Sequence, residues 1–366
     1  MDNRLALVAL NMIPEIRTYY TKNVIDFKNA EFLFSSSEEE IIFALHCKPE
    51  IAKKIKNGNW IKKAEAEFKK TNKLEIKIIT YFDEDFPNTL RKINQPPLVI
   101  YYQGNLGLNN DLCIAVVGTR CATTYGINST EKIVSELTKK GFIIVSGLAR
   151  GIDTAAHKTC LKNNGKTIAV LGCGIDIDYP KENYSLREHI IKNGALLTEY
   201  PLGEKPYKAN FPLRNRLISG LSFGVLIIEA SHKSGSLITI RYALEQGKDV
   251  FSLPGSIFSM QSIGTNYLIK TGQAKLIQNI NDIISEIPNY LLKNTNLNIE
   301  SPLIELDEDD KKILQFIPLE EPIHIDDIAV LSGFTAAELL PKLLNLELKG
   351  AIQQTKGQCY CKKIFI

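Results

Sequence analysis

The sequence predicts a multidomain α/β protein. A central, doubly wound parallel sheet follows an all-helical segment and precedes a winged helix. Three observations predict this. Six short, almost continuously apolar runs follow one another from about residue 112: CIAVVG, FIIVSG, TIAVLG, ALLTEY, GVLIIEA and DVFSLPG. Stretches of helical character at 125–140, 152–163 and 236–246 stand between them. Strands apolar throughout and separated by helices need a sheet covered on both faces, which is the parallel arrangement. Third, LDEDDKKILQFI, HIDDIAVLSG and TAAELLPKLLNLELK give three helical segments before a hairpin-like end, the order of a winged helix. A chain of 366 residues has room for two or three such bodies.

Taken in order, residues 1–75 read as helices, with apolar positions at helical spacing in LALVALNMI. Lysines crowd the segment from Lys48 to Lys77, either as a solvated helix face or as a phosphate-contacting one. Residues 76–287 hold the α/β domain with its lead-in. PNYLLKNTNLNIESPLI, at 288–304, is rich in Asn and poor in pattern and reads as a linker to the last domain, 305–366.

Composition narrows the function classes. Hydrophobic content of 44% and charged content of 23% are those of a soluble globular chain. No apolar run approaches the roughly 18 residues that span a bilayer, and MDNRLALVALNMIPEIR lacks a signal-peptide pattern, so membrane association and secretion are not expected. Seven cysteines without framework spacing read as reduced thiols of a cytoplasmic protein, and the CxC of Cys359 and Cys361 completes no zinc site. No metal or cofactor is expected. Residues 101–304 carry 21 basic and 16 acidic groups, whereas 305–366 carry 7 and 11. That balance permits an anionic partner in the middle of the chain and argues against a basic DNA-binding tail.

In an open α/β sheet, ligands bind beyond the carboxyl ends of the strands, where loops enter helix N-termini. Three such crossings are glycine-rich: VVGTRCATTYG, VSGLARGID and VLGCGIDIDYP. Gly118, Gly147, Gly151, Gly172 and Gly174 let the backbone approach a ligand closely, and helix N-termini favour anions. Arg120 and Arg150 project from two of the crossings, with guanidinium groups suited to phosphate. The dinucleotide fingerprint fails in GTRCAT, and NNGKT lacks the first glycine of a phosphate loop because Cys160 stands there. Ser146, Asp153 and His157 have no triad spacing; Asp153 reads as a cap and His157 as a packed residue. Glu199 and Glu229 end strands and are either acid–base groups or ligands of loop N–H groups.

The segment KANFPLRNRLISGLS, 208–222, enters a helix on the same rim. Pro212 suits a first helical turn. Lys208, Phe211, Arg214 and Arg216 then read in two ways. In one, the cations hold successive phosphates of a single strand while the ring stacks on a base. In the other, Phe211 packs in the core and the arginines pair with Glu199 or Glu229.

Seven blocks in order, GTRCATTYG, VSGLARGIDTAAH, VLGCGIDIDYP, LLTEYPLG, KANFPLRNRLISGLS, EASHKSGSLITIRYALEQGKDVFSLPGSI and GTNYLIKTGQA, resemble the DNA-processing protein A (DprA/Smf) family. DEDFPNTLRKINQPPLVIYYQGNL resembles its lead-in, and the likeness covers about residues 80–278. The resemblance implies a Rossmann-like central domain in a cytoplasmic homodimer. It further implies binding of single-stranded DNA and loading of the RecA recombinase in natural transformation, with no catalytic activity. The family's phosphate-contacting arginine falls on Arg120, its lysine on Lys208 and its base-contacting aromatic on Phe211. Arg214 and Arg216 match its RNR block and Lys233 a basic position. Gly118, Thr119, Ser146, Gly147 and Gly172 belong to the expected DNA-binding rim. Residues 1–75 resemble the family's SAM-type, helix-hairpin-helix-like module, yet NMIPEIR has Glu15 and Arg17 where a hairpin would have glycines. The winged helix begins its recognition helix with Ala336, Ala337 and Glu338, so a protein-contact role is expected of it. Apolar residues between Ile257 and Leu268 are candidates for the dimer surface. The alternative is a nucleotide phosphoribohydrolase of the lysine-decarboxylase-like group, but KSGSLIT has Thr239 where that group's motif has its catalytic glutamate.

Overall fold

The computed structural model describes residues 2–107, 112–287, 306–318, 321–355 and 357–362. The expected linker, 288–304, lies outside the described residues. The chain divides into two compact units, Met1–Leu297 and Asn298–Ile366.

The first unit is built on nine strands: β1 (Lys77–Thr80), β2 (Val99–Gly104), β3 (Cys113–Val117), β4 (Ile143–Ser146), β5 (Thr167–Val170), β6 (Gly194–Thr198), β7 (Gly224–Ile227), β8 (Asp249–Ser252) and β9 (Lys275–Leu276). They lie in the order β1-β2-β6-β5-β4-β3-β7-β8-β9. β1 and β2 are antiparallel to each other, as are β2 and β6. Every other pairing is parallel. The six apolar runs of the sequence are β3 to β8, and their lack of alternation has a direct cause. Ala115 and Val117 face a core shared with Leu217, Ile218 and Leu221 of the helix Asn210–Leu221. Ile114 and Val116 face an opposite core with Ile133, Val134 and Leu137 of the helix Thr124–Lys139. Both faces are covered, so both positions of the pleat are apolar.

The helices of residues 3–73 extend this unit rather than stand apart from it. The helix Asn3–Asn11 is buried from Ala6 to Asn11, and its core continues into Leu98, Val99 and Tyr101 of the lead-in and into Leu196 of β6. Polar ties cross the same seam. Asn11 Nδ2 donates to the Glu199 carbonyl at 2.9 Å, Leu202 N–H donates to Glu67 at 2.7 Å, and Arg17 pairs with Glu204 at 3.2 Å. Glu15 and Arg17 therefore have structural partners, Lys54 for the first and Glu204 for the second.

In the second unit, the helices Glu308–Phe316, Ile325–Ser332 and Ala336–Leu348 pack around Ile313, Ile328, Leu339, Leu343 and Leu346. A three-stranded sheet, β10 (Ile323–His324), β12 (Cys359–Lys362) and β11 (Ile352–Thr355), completes a winged helix. Thr335 and Glu338 form a reciprocal capping box that starts its third helix. None of the seven cysteines is in a disulfide, and burial pushes the Cys160 and Cys173 thiols up to about 11. Among the described residues no helix is long and apolar enough to cross a membrane, and no group of three His, Cys, Asp or Glu could hold a metal.

Candidate nucleic-acid interface

From β3 the parallel strands run outward through β4 to β6 on one side, and through β7 to β9 on the other. The loops after β3 and β7 therefore leave in opposite directions and open a crevice at their carboxyl ends, the usual ligand position in such sheets. A cavity of about 650 Å³ lies here, within the range of small-ligand sites. Gly118, Thr119 and Arg120 line it from the β3 crossing, and Ala149 and Asp153 from the β4 crossing. Lys208, Phe211 and Arg214 enter from the segment before β7, and Ser231, Ser234, Ser236 and Thr239 from the crossing after it.

Three expected site residues meet in an accessible arrangement. Arg120 and Lys208 are exposed, and Phe211 is half-buried between them and the cavity floor. The ring is held from several sides. Tyr179 lies against it with centroids 5.4 Å apart, and the Arg120 and Arg214 guanidinium carbons stand 5.9 and 5.8 Å from its centre. A Cβ at Gly172 would come within 2.8 Å of Phe211 Cδ1, so glycine there lets the ring lie down on the β5 crossing. Gly172 thus supports the aromatic without lining the cavity.

The other expected residues are placed differently. Arg216 is 4% exposed and does not line the cavity. Its guanidinium is held bidentately by Glu199, with Nη2 at 2.6 Å from Oε2, and Nε donates to the Gln95 carbonyl at 3.0 Å. Of the two sequence readings of Arg216, the geometry matches the second, pairing with Glu199 in place of a phosphate contact, with both groups desolvated. Arg214 is also 4% exposed. It lines the cavity only from below, donating to the carbonyls of Gly147, at 3.0 Å, and Val170. A Cβ at Gly147 would stand 2.8 Å from Arg214 Nη2 and 2.9 Å from Asp153 Oδ2, so this glycine makes room for a buried guanidinium, not for a ligand. Ser146 is fully buried and donates to the Val116 carbonyl at 2.7 Å. Lys233 is exposed on the turn after β7, outside the cavity lining. Arg150, on the rim, pairs with Glu182 at 2.5 Å.

The titratable groups beneath the rim are structural. Asp153 accepts the N–H groups of Gly147 and Ala149, each at 3.2 Å. Burial raises its pKa to about 6, against the opposing pull of Arg214. Burial and Arg214 together lower His157 to about 3, so the ring is neutral, with Nδ1 2.7 Å from Thr167 Oγ1. Glu229 accepts both the N–H and the hydroxyl of Thr123, at 2.9 and 2.5 Å. With Glu199 bound to Arg216, neither strand-end carboxylate lines the cavity. Sequence reasoning missed Tyr179. Its signal was its place in VLGCGIDIDYP, a crossing already singled out for its glycines.

A doubly wound α/β fold, an open crevice at the switch point, exposed cations and an aromatic floor define a protein that binds an anionic, base-bearing ligand. Residues 77–288 match the model of the DNA recombination-mediator protein A family, and residues 300–358 match that of the DprA winged helix domain. The chain is 39% identical over 319 residues to the protein Smf of Synechocystis, covering 78% of this chain and 80% of that one. The X-ray structure of DNA processing protein A from Streptococcus pneumoniae superposes with a TM-score of 0.67 at 34% identity, over 79% of this chain and 99% of that one. DNA processing protein A from Helicobacter pylori, whose structure addresses its single-stranded DNA binding mode, gives a TM-score of 0.54 at 35% identity. That match covers 61% of this chain and 98% of the other. The chain belongs to the DNA recombination-mediator protein A family. It is accordingly a DNA-processing, DNA-binding protein and not an enzyme, which sets aside the phosphoribohydrolase alternative.

Proposed function

We propose that this chain binds single-stranded DNA without sequence preference across the cavity at the β3–β7 switch point. It does so as a homodimer that protects the strand in transformation and passes it to RecA. Arg120 and Lys208 hold backbone phosphates, and Phe211, braced by Tyr179 and Gly172, stacks on a base. Arg214 and Arg216 serve by fixing the helix that carries Phe211. The observation that carries this reading is the convergence of two exposed cations and one half-buried ring on a single open cavity. Support comes also from the Helicobacter pylori relative, described by its single-stranded DNA binding mode. For the dimer, support lies in the exposed Ile257, Phe258, Met260, Ile263 and Tyr267; Leu268, 4% exposed, is part of the core instead.

The test is fluorescence anisotropy with labelled oligo-dT and a matching duplex, on wild type, Arg120→Ala and Phe211→Ala. Circular dichroism checks that each variant is folded. Phe211→Ala should weaken single-strand binding by about 1–3 kcal/mol. Arg120→Ala should reduce the slope of log K against log[salt] by about 0.7, one phosphate contact on a single strand. Unchanged binding in both folded variants would move the site elsewhere. Light scattering of Phe258→Glu, and RecA filament formation on DNA precoated with wild type, test the dimer and the hand-over.

A further inference from the structure

The wall of the cavity opposite the β4 crossing is built by the turn after β7 and by the start of the helix Ser236–Glu245, and no role has yet been given to it. Ser231, Ser234, Gly235, Ser236 and Thr239 all line the cavity from this side. Thr239 is the informative residue. Only 1% of it is exposed, yet its hydroxyl has no hydrogen-bond partner among the described residues. Nor is that oxygen among the side-chain atoms sealed away from solvent without a partner, so the accessible fraction of Thr239 is at its hydroxyl, facing the cavity. A threonine inside a helix ordinarily turns its hydroxyl onto the preceding turn. Here it is left for something in the cavity.

The surroundings specify the charge of that something. Thr239 lies in the first turn of a ten-residue helix, whose dipole favours an anion; the N–H groups of Ser236, Leu237 and Ile238 are taken up within the turn by Ser234 and Gly235, so the donors left for a ligand are hydroxyls. The hydroxyls of Ser234 and Ser236 are 2.7 Å apart at the same terminus and share one hydrogen bond, which leaves a second proton free to donate. Lys233 is exposed at the outer edge of the turn. Asp153, the one carboxylate among the lining residues, sits on the β4 crossing, with β3 between it and β7.

We propose that the Ser234–Thr239 helix start is a second phosphate subsite of this cavity, taking the backbone phosphate next to the one held by Arg120. This inference rests on the cavity being the single-strand site. The strand then enters between two anion holders on opposite walls, Arg120 after β3 and the Thr239 hydroxyl after β7, with Phe211 on the floor between them. One holder is a mobile cation and the other a fixed set of dipoles, so the second gives register where the first gives attraction.

Two variants test it with labelled oligo-dT. Thr239→Val keeps the shape and removes the hydroxyl, and should weaken binding about tenfold, the loss of one hydrogen bond to a charged group. Gly235→Asp puts a carboxylate at the helix start. Gly235 has an ordinary φ of −62°, and a Cβ there meets nothing within 4 Å. The substitution should therefore hold or raise the melting temperature, since an acidic group suits a helix N-terminus, while binding falls by more than tenfold. Lost binding with intact melting supports the subsite, because a merely structural role would move both together. Wild-type binding by both variants, alongside weak binding by Arg120→Ala and Phe211→Ala, would overturn the subsite and leave the site itself standing. Wild-type binding by all four would overturn both.

Discussion

At the carboxyl ends of β3 and β7 the chain exposes Arg120 and Lys208 beside a half-buried ring. On the helix Ala336–Leu348, the third of the winged helix, it exposes Leu340, Leu344 and Leu348 instead. The winged helix has the architecture commonly associated with DNA reading, yet three of its described lysines are bound at home: Lys342 to Asp309 at 2.8 Å, Lys349 to Asp310 at 2.6 Å, and Lys311 to Glu308 at 3.0 Å. Architecture makes a helix available; the side chains on its outer face decide what meets it. Exposed cations line the cavity at the sheet rim, whereas the outer face of the third helix of the winged helix offers leucine.

The largest expected effect breaks the comparison at its electrostatic root. Reversing Arg120 and Lys208 to Glu should cut oligo-dT affinity by about 100-fold at moderate salt, since two charge-assisted contacts become repulsive. Reversing Lys311 and Lys362 of the winged helix should leave affinity within about twofold. Comparable losses from both pairs, read by anisotropy, would mean that both regions hold the strand.

Next comes the contrast between exposed and buried arginine within one helix entry. Glu199→Ala leaves the Arg216 guanidinium desolvated and unpaired, and should cost about 3–5 kcal/mol in denaturant unfolding. Replacing both partners with apolar residues of similar volume should recover most of it. Arg120→Ala, by contrast, should leave stability within about 0.5 kcal/mol, as for most surface changes. A small effect of Glu199→Ala would show that Arg216 finds another partner and would reopen its assignment.

The sequence made much of this legible, and the reasons differ by element. The strands β3 to β8 were visible because burial on both faces makes them mostly apolar, with a few buried hydroxyls such as Ser146, Thr167 and Thr198 satisfied by backbone carbonyls. β1 and β2 were not, since KIIT follows a lysine-rich helix and VIYYQG follows two prolines, and β9 exposes both of its residues. Arg120, Lys208 and Phe211, expected on one rim, line one cavity. Arg214 and Arg216 could not be separated from them by type, because burial depends on Glu199 and on two carbonyls far away in the chain. Thr239 gave no local signal and Tyr179 only its place in a glycine-rich crossing, since their positions beside the cavity come from which loop returns beside which.

Smaller, and dependent on pH, is the group beneath the rim. Asp153 has its pKa raised from 3.8 to about 6 by burial, so between those values the folded state binds more protons than the unfolded one. Its contribution is therefore fully present below pH 3.8 and is lost as pH rises through about 6, at most about 3 kcal/mol. Asp153→Asn should remove that part of the decline in a series of urea melts from pH 4 to 7. An unchanged profile would mean that Arg214 holds Asp153 ionised throughout.

The smallest effect tests whether the winged helix lacks only charge. Leu340 and Leu344 are about half exposed and lie one turn apart, so Leu340→Lys with Leu344→Arg should change stability by no more than about 0.5 kcal/mol. If the outer face is free and correctly shaped, two added cations should raise duplex affinity a few-fold at low salt, with a log–log salt slope steeper by up to about 1.8. That outcome would make the difference between the two regions one of side chains alone. If duplex affinity stays flat while the variant remains folded, the leucine face is covered, and the protein contact that covers it, not the missing charge, keeps this helix from DNA.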